Sequence, residues 1–150
     1  MIKICEDEKP IFEIMNHPKI FDMSSDDLSQ KPFIPDMSHA IYLINEEETG
    51  MASVVPISGV LCQVHVAVLP ELWGGAVDFF KEAFKFGFEH TCFQKVMALV
   101  PEYNRLTIRI AGKVGMVQEG KLTKSFLKNW ELHDQIIFGL NKIDFLAGGK

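Results

Sequence analysis

The chain lacks most of the short motifs that announce a chemistry. Its 150 residues hold no Gly-Lys-Ser/Thr phosphate loop, no Gly-x-Gly-x-x-Gly fingerprint and no Gly-x-Ser-x-Gly nucleophile elbow. It has no Cys-x-x-Cys pair. The three cysteines, Cys5, Cys62 and Cys92, are odd in number and far apart. That pattern predicts reduced, buried thiols in a cytoplasmic protein. His17, His39, His65, His90 and His133 show no metal-ligand spacing, so no metal is expected. No apolar run approaches the roughly 18 residues that span a bilayer. Met1–Cys5 is apolar but at once meets Glu6, Asp7 and Glu8, unlike a signal peptide. No internal repeat or low-complexity linker appears, so residues 1–150 are expected to form one domain. Arginine is nearly missing: Arg105 and Arg109 are the only two. The formal net charge of −5 argues against nucleic acid as a partner.

What is present is a globular composition, 47% hydrophobic and 23% charged. The charge is uneven. Residues 1–50 hold 11 acids and 4 lysines, whereas residues 51–150 hold 9 acids and 11 bases. The acidic first third suits a cationic acceptor or an ordinary solvated surface, and a local anion site in the remainder stays open. Ile2–Cys5, Ala40–Asn45, Met51–Ile57 and Leu61–Leu69 read as strands, the third at an edge or bent because of Pro56. Residues 10–39, broken by four prolines, predict short helices and loops, with Ser24–Ser25–Asp26–Asp27 as a helix cap. Ala76–His90 has helical spacing in Val77, Phe80, Phe84, Gly87 and Phe88, with Phe79 and Phe86 on a further side. This Phe-rich stretch suits core or a homodimer interface. Lys95–Val100 is a strand, and Arg105–Val114 a helix ended by Gly115. Val117–Leu127 and Leu132–Leu140 predict a hairpin across Lys128–Asn129–Trp130–Glu131, with Asn129 at positive φ. Ala147–Lys150 is expected to fray. The mixture predicts an α/β domain around one mixed sheet.

Candidate chemistry concentrates after the fourth of these strands, Leu61–Leu69. Pro70-Glu71-Leu72-Trp73-Gly74-Gly75-Ala76 leads from strand to helix. Unpaired N–H groups and the helix dipole at such an entrance favour a phosphate, although a ligand-free turn is the plainer reading. His65 interrupts an apolar strand just before that turn. It reads either as a hydrogen-bonded core histidine or as a general base near neutral pH. Glu102, just past the next strand, is a second candidate base or an exposed loop acid. Arg105, Arg109 and Lys113 stack on one helix face, either solvated or facing an anion.

In order and spacing these pieces resemble the GNAT N-acetyltransferases, of the ribosomal-protein N-acetyltransferase type, from Ala40 to Lys142. Glu71-Leu72-Trp73-Gly74-Gly75-Ala76 stands where that family carries its Gln/Arg-x-x-Gly-x-Gly/Ala loop. Asn104, Thr107 and Arg109, then Gly115-Met116 and Glu119-Gly120, follow its second block. Asn129–Trp130 and Asp134 resemble its late hairpin. The resemblance implies a strongly twisted mixed sheet flanked by helices on both faces, split between the strands Leu61–Leu69 and Lys95–Val100. It implies acetyl-CoA as co-substrate and transfer of acetyl to a primary amine, a protein N-terminus or small amine, with His65 or Glu102 taking the proton. The backbone of Val66 and Val68 would hold the pantetheine arm and acetyl carbonyl. Gly74, Gly75 and Ala76 would cradle the pyrophosphate. Asn104 and Thr107 would touch the arm, and Arg109 the adenosine phosphates. Two departures stand out: Glu71 is acidic, and Ala111–Gly112 replace the family's frequent acid tyrosine. Short divergent chains of this type occur in tailed phages, so the rival expectation is a non-catalytic scaffold in virion or head assembly, working in the host cytoplasm.

Overall fold

The computed structural model describes residues 1–148. The strands are β1 (Ile2–Ile4), β2 (Ile41–Asn45), β3 (Gly50–Pro56), β4 (Leu61–Val68), β5 (Lys95–Pro101), β6 (Val117–Lys128) and β7 (Glu131–Asn141). The helices are α1 (Glu8–Met15), α2 (Pro18–Ser24), α3 (Ala76–His90), α4 (Arg105–Lys113) and α5 (Lys142–Gly148). The strands form one sheet in the order β1-β2-β3-β4-β5-β7-β6. β4 and β5 run parallel, and every other neighbouring pair is antiparallel. The fold is thus α/β around a mixed sheet, as the sequence predicts.

Local chemistry explains the elements. Asp7 caps α1 by accepting from the Lys9 N–H at 3.0 Å. His17 caps α2 through Nδ1, which accepts from the Lys19 N–H at 3.2 Å. Asn45 closes the β2–β3 hairpin: its Oδ1 accepts from the Thr49 and Gly50 N–H groups at 2.9 and 3.1 Å. Gly50 is needed there, because a Cβ would sit 2.9 Å from the Phe79 ring. Asn129 and Trp130 both take positive φ at the tip of the β6–β7 hairpin.

The two sheet faces are covered differently. Even-numbered residues of β4 (Cys62, Val64, Val68) pack under α3 with Phe79, Phe80, Phe84 and Phe88. Ala67 faces the other way, into a cluster with Ile11, Ile14 and Met15 of α1 and Ile20 of α2. The helices therefore lie on both faces.

Several expectations need correction. Ser24–Asp27 caps a helix at its end and not its start: Ser24 ends α2, Ser25 is its C-cap, and Asp26 closes a turn by accepting from the Leu28 N–H. β3 is an internal strand, not an edge. Pro56 is its last residue, beyond the end of the pairing with β2 at Ile41↔Val54, so no ladder bond is lost. Cys5 and Cys62 are buried, but Cys92 is exposed. Phe79, set apart from the main stripe in the sequence, is buried, its ring lying against Gly50 of β3. Ala147 and Gly148, expected to fray, complete α5, whose Phe145 ring lies 5.5 Å from that of Phe88. The remainder of that expected tail, residues 149 and 150, lies outside the described residues. Among the described residues no helix is long and apolar enough to cross a membrane.

Candidate active site

The site originates in an incomplete ladder. β4 and β5 pair at Leu61↔Lys95, Cys62↔Val96 and Gln63↔Met97, and there the pairing ends. Both strands continue, β4 to Val68 and β5 to Pro101, on opposite walls of a cavity of about 410 Å³. Register fixes what β4 presents to this gap. The Leu69 N–H bonds the Thr49 carbonyl and the Ile57 N–H the Leu61 carbonyl, so the odd residues of β4 bond to β3. Alternation turns the backbone N–H groups of Val66 and Val68 the other way, into the gap. The Val68 carbonyl is taken by the Trp73 indole N–H at 2.8 Å.

The cavity is lined from both faces of the sheet, and its two sides are termed the α3-side and the α2-side lobe. On the α3 side it is walled by Val64, Val66, Phe80, Phe84, Ala98 and Met116, with Thr107 and Ile110 of α4. On the α1–α2 side it meets Ile20, Met23 and Ser24 of α2, together with Gln63, His65, Phe126 and Gln135. His65 shares the face of Ala67, so it belongs to the second lobe, while its neighbour Val66 belongs to the first. The Nε2 of His65 is buried and has no hydrogen-bond partner among the described residues. Burial disfavours the imidazolium and holds the His65 pKa below its ordinary 6.5. The ring is therefore neutral at pH 7 and one nitrogen can accept a proton. Among the described residues it is also the sole titratable side chain lining the cavity. Cys62, next to the gap, is no rival nucleophile, because burial pushes its thiol up to about 11.

The mouth is formed by Pro70–Gly75, a 3₁₀ turn that feeds α3. No side chain caps α3 at Gly75, and a Cβ placed on Gly74 would meet nothing within 4 Å. Backbone N–H groups at an open helix N-terminus beside free space suit a phosphate. Glu71 is exposed and outside the cavity lining, so its charge does not oppose such a ligand from within. Across the mouth, Asn104 caps α4 by accepting from the Thr107 N–H at 3.2 Å.

The structure brings His65, Val66, Val68, Ala76, Asn104 and Thr107 to one cavity; Gly74 and Gly75 do not line it but lie between Trp73 and Ala76, which do. Glu102 and Arg109 are not among the lining residues. The Glu102 carboxylate lies 3.8 Å from His133 Nδ1, and Arg109 is exposed on α4. Sequence reasoning missed Gln63, Ser24, Phe126 and Gln135. Gln63 was within reach, since period-two spacing puts it on the face of His65; the others come from elements far away in sequence.

The sequence matches no protein-family model and no curated protein. Solved structures match in shape. The spermidine N-acetyltransferase of Vibrio cholerae, in complex with CoA and spermine, gives a TM-score of 0.79 at 15% identity, covering 97% of each chain. The ribosomal-protein-S5-alanine acetyltransferase of Vibrio fischeri gives 0.74 at 15% identity, covering 96% of this chain and 93% of that one. The protein has the fold of the GNAT N-acetyltransferases.

Proposed function

We infer that the protein is an acyl-CoA-dependent N-acyltransferase that moves acetyl from acetyl-CoA to a primary amine. The observation that carries this reading is the gap between β4 and β5, with the backbone N–H of Val66 on one side and the neutral His65 on the other. Val66 and Val68 would bind the arm and polarise the thioester carbonyl. Gly74, Gly75 and Ala76 would receive the pyrophosphate. Asn104 and Thr107 would touch the arm, and the exposed Arg109 would meet the adenosine end outside the cavity. The amine would enter the α2-side lobe. Its nitrogen bonds the acyl carbon, the C–S bond breaks, and CoA leaves as thiolate. The amine's proton passes to His65. Glu102, outside the cavity, would act only through solvent.

A second reading is a non-catalytic scaffold of the same fold. One observation favours it: among the described residues no tyrosine lines the cavity to return a proton to the thiolate. Titration calorimetry with acetyl-CoA, followed by mass spectrometry of an amine and peptide panel, separates the two. Acyl transfer supports the enzyme; binding without transfer to any amine supports the scaffold. Gly74→Asp is the control for the mouth. It has space for a side chain, so the fold should persist while CoA affinity drops about tenfold or more through charge repulsion. Unchanged affinity in that variant removes the loop from the site.

A further inference from the structure

We propose that the α3-side lobe is an acyl-chain site, so that the protein takes straight-chain acyl-CoA thioesters longer than acetyl. This rests on the acyl-CoA reading above and extends it to the donor's acyl group. On the α3 side the lining changes in polarity along its depth. There the polar groups are Asn104 and Thr107 at the start of α4, while Ser24, Gln63, His65 and Gln135 belong to the other side of the sheet. α3 runs back from the mouth along β4, so Ala76, Phe80 and Phe84 mark successive turns inward. Toward the point where β4 and β5 rejoin, the α3-side walls are Val64, Phe84, Ala98 and Met116, all apolar, while Gln63 of the last ladder pair lies on the opposite face. Val64 lies two residues deeper than Val66, roughly 7 Å at strand rise. A carbonyl held by the Val66 N–H therefore has apolar space beyond it.

Ala98 shows that this space is real. It sits in an internal strand, flanked on both sides, and its neighbours on the same face, Val96 and Val100, are buried. Ala98 itself is only half-buried, and what it faces is the cavity. A small residue in a row of large ones leaves a hole. An apolar hole gains more from an alkyl chain than from water. Acetyl contributes a single methyl to it.

The test is calorimetric titration of the intact protein with CoA, acetyl-CoA, butyryl-CoA and hexanoyl-CoA at one salt concentration. Each newly buried methylene tightens binding by about fourfold. Butyryl-CoA is therefore expected to bind at least about tenfold tighter than acetyl-CoA, two methylenes being added. Ala98→Leu, checked for folding by its melting curve, should bring the butyryl-to-acetyl ratio to within about twofold by filling the hole. If acetyl-CoA and butyryl-CoA bind the unaltered protein within about twofold while CoA binds, the inference is overturned and the acyl-CoA reading stands. An undiminished ratio in folded Ala98→Leu overturns the assignment of the chain to this lobe. If neither CoA nor any thioester binds, both fall together.

Discussion

An imidazole nitrogen buried without a partner is also a thermodynamic quantity. In the unfolded chain His65 titrates near 6.5, whereas burial holds it lower in the fold. Between the two values the unfolded chain binds the proton and the folded one does not. Stability is thus complete above about pH 6.5 and is lost as the pH falls through the lowered value. In His65→Gln the melting temperature should depend less steeply on pH between 7 and 5. The same variant should keep acyl-CoA affinity and transfer acetyl about 100-fold more slowly or worse, the scale of a lost general base. An unchanged pH slope would show that His65 does not carry the acid sensitivity. The face of His65 was legible in the sequence, because alternation with Val64 and Val66 puts it opposite the main core. Its orphaned Nε2 was not legible, since that depends on how α2 lies against β4. Arg109 makes the complementary point. Its spacing to Arg105 and Lys113 shows a shared face but not that this face turns to solvent.

Between elements, the clearest device is a strap that joins the α2–β2 loop to the tip of the β6–β7 hairpin. The Asp27 N–H bonds the Leu127 carbonyl at 2.9 Å. The Asp27 carboxylate accepts from the N–H groups of Asn129 and Trp130 at 3.1 and 2.7 Å. The Lys128 ammonium reaches the Ser25 carbonyl at 3.0 Å. Ser24 and Phe126, each next to a strap residue, line the α2-side lobe. The strap therefore fixes the wall of the lobe assigned to the amine. In Asp27→Ala the amides of Asn129 and Trp130 should exchange with solvent faster, read by hydrogen-exchange mass spectrometry. The KM for the amine should rise while that for acyl-CoA stays near its original value. A variant that shifts neither exchange nor the amine KM would show the strap to be ornamental to the lobe. The turn chemistry of Asn129 was readable locally, but the partner of the turn was not. Asp27 and Trp130 are distant in sequence, and an acid after two serines looks like any helix cap.

At the scale of the molecule, the strands were largely visible as β-branched alternation, and the paired glycines marked the entrance to α3. The insertion of β7 between β5 and β6 has no local signature, because it follows from which hairpin edge meets β5. α5 was missed because seven residues carry too short a period to distinguish a helix from a tail. The junction of β4 and β5 has a mechanical consequence. Three residue pairs form the whole parallel ladder between the block β1–β4 and the block β5–β7. Under thermal agitation this is a fault line, along which the two blocks can work against each other. A ligand seated in the gap would act as a splint across it. At 100 times its Kd such a ligand adds about 2.7 kcal/mol to stability, which for a chain of this length raises Tm by roughly 5–10 °C. Amides of both blocks should then slow in exchange together, where a ligand gripping one block alone would quieten that block and leave the other as restless as before.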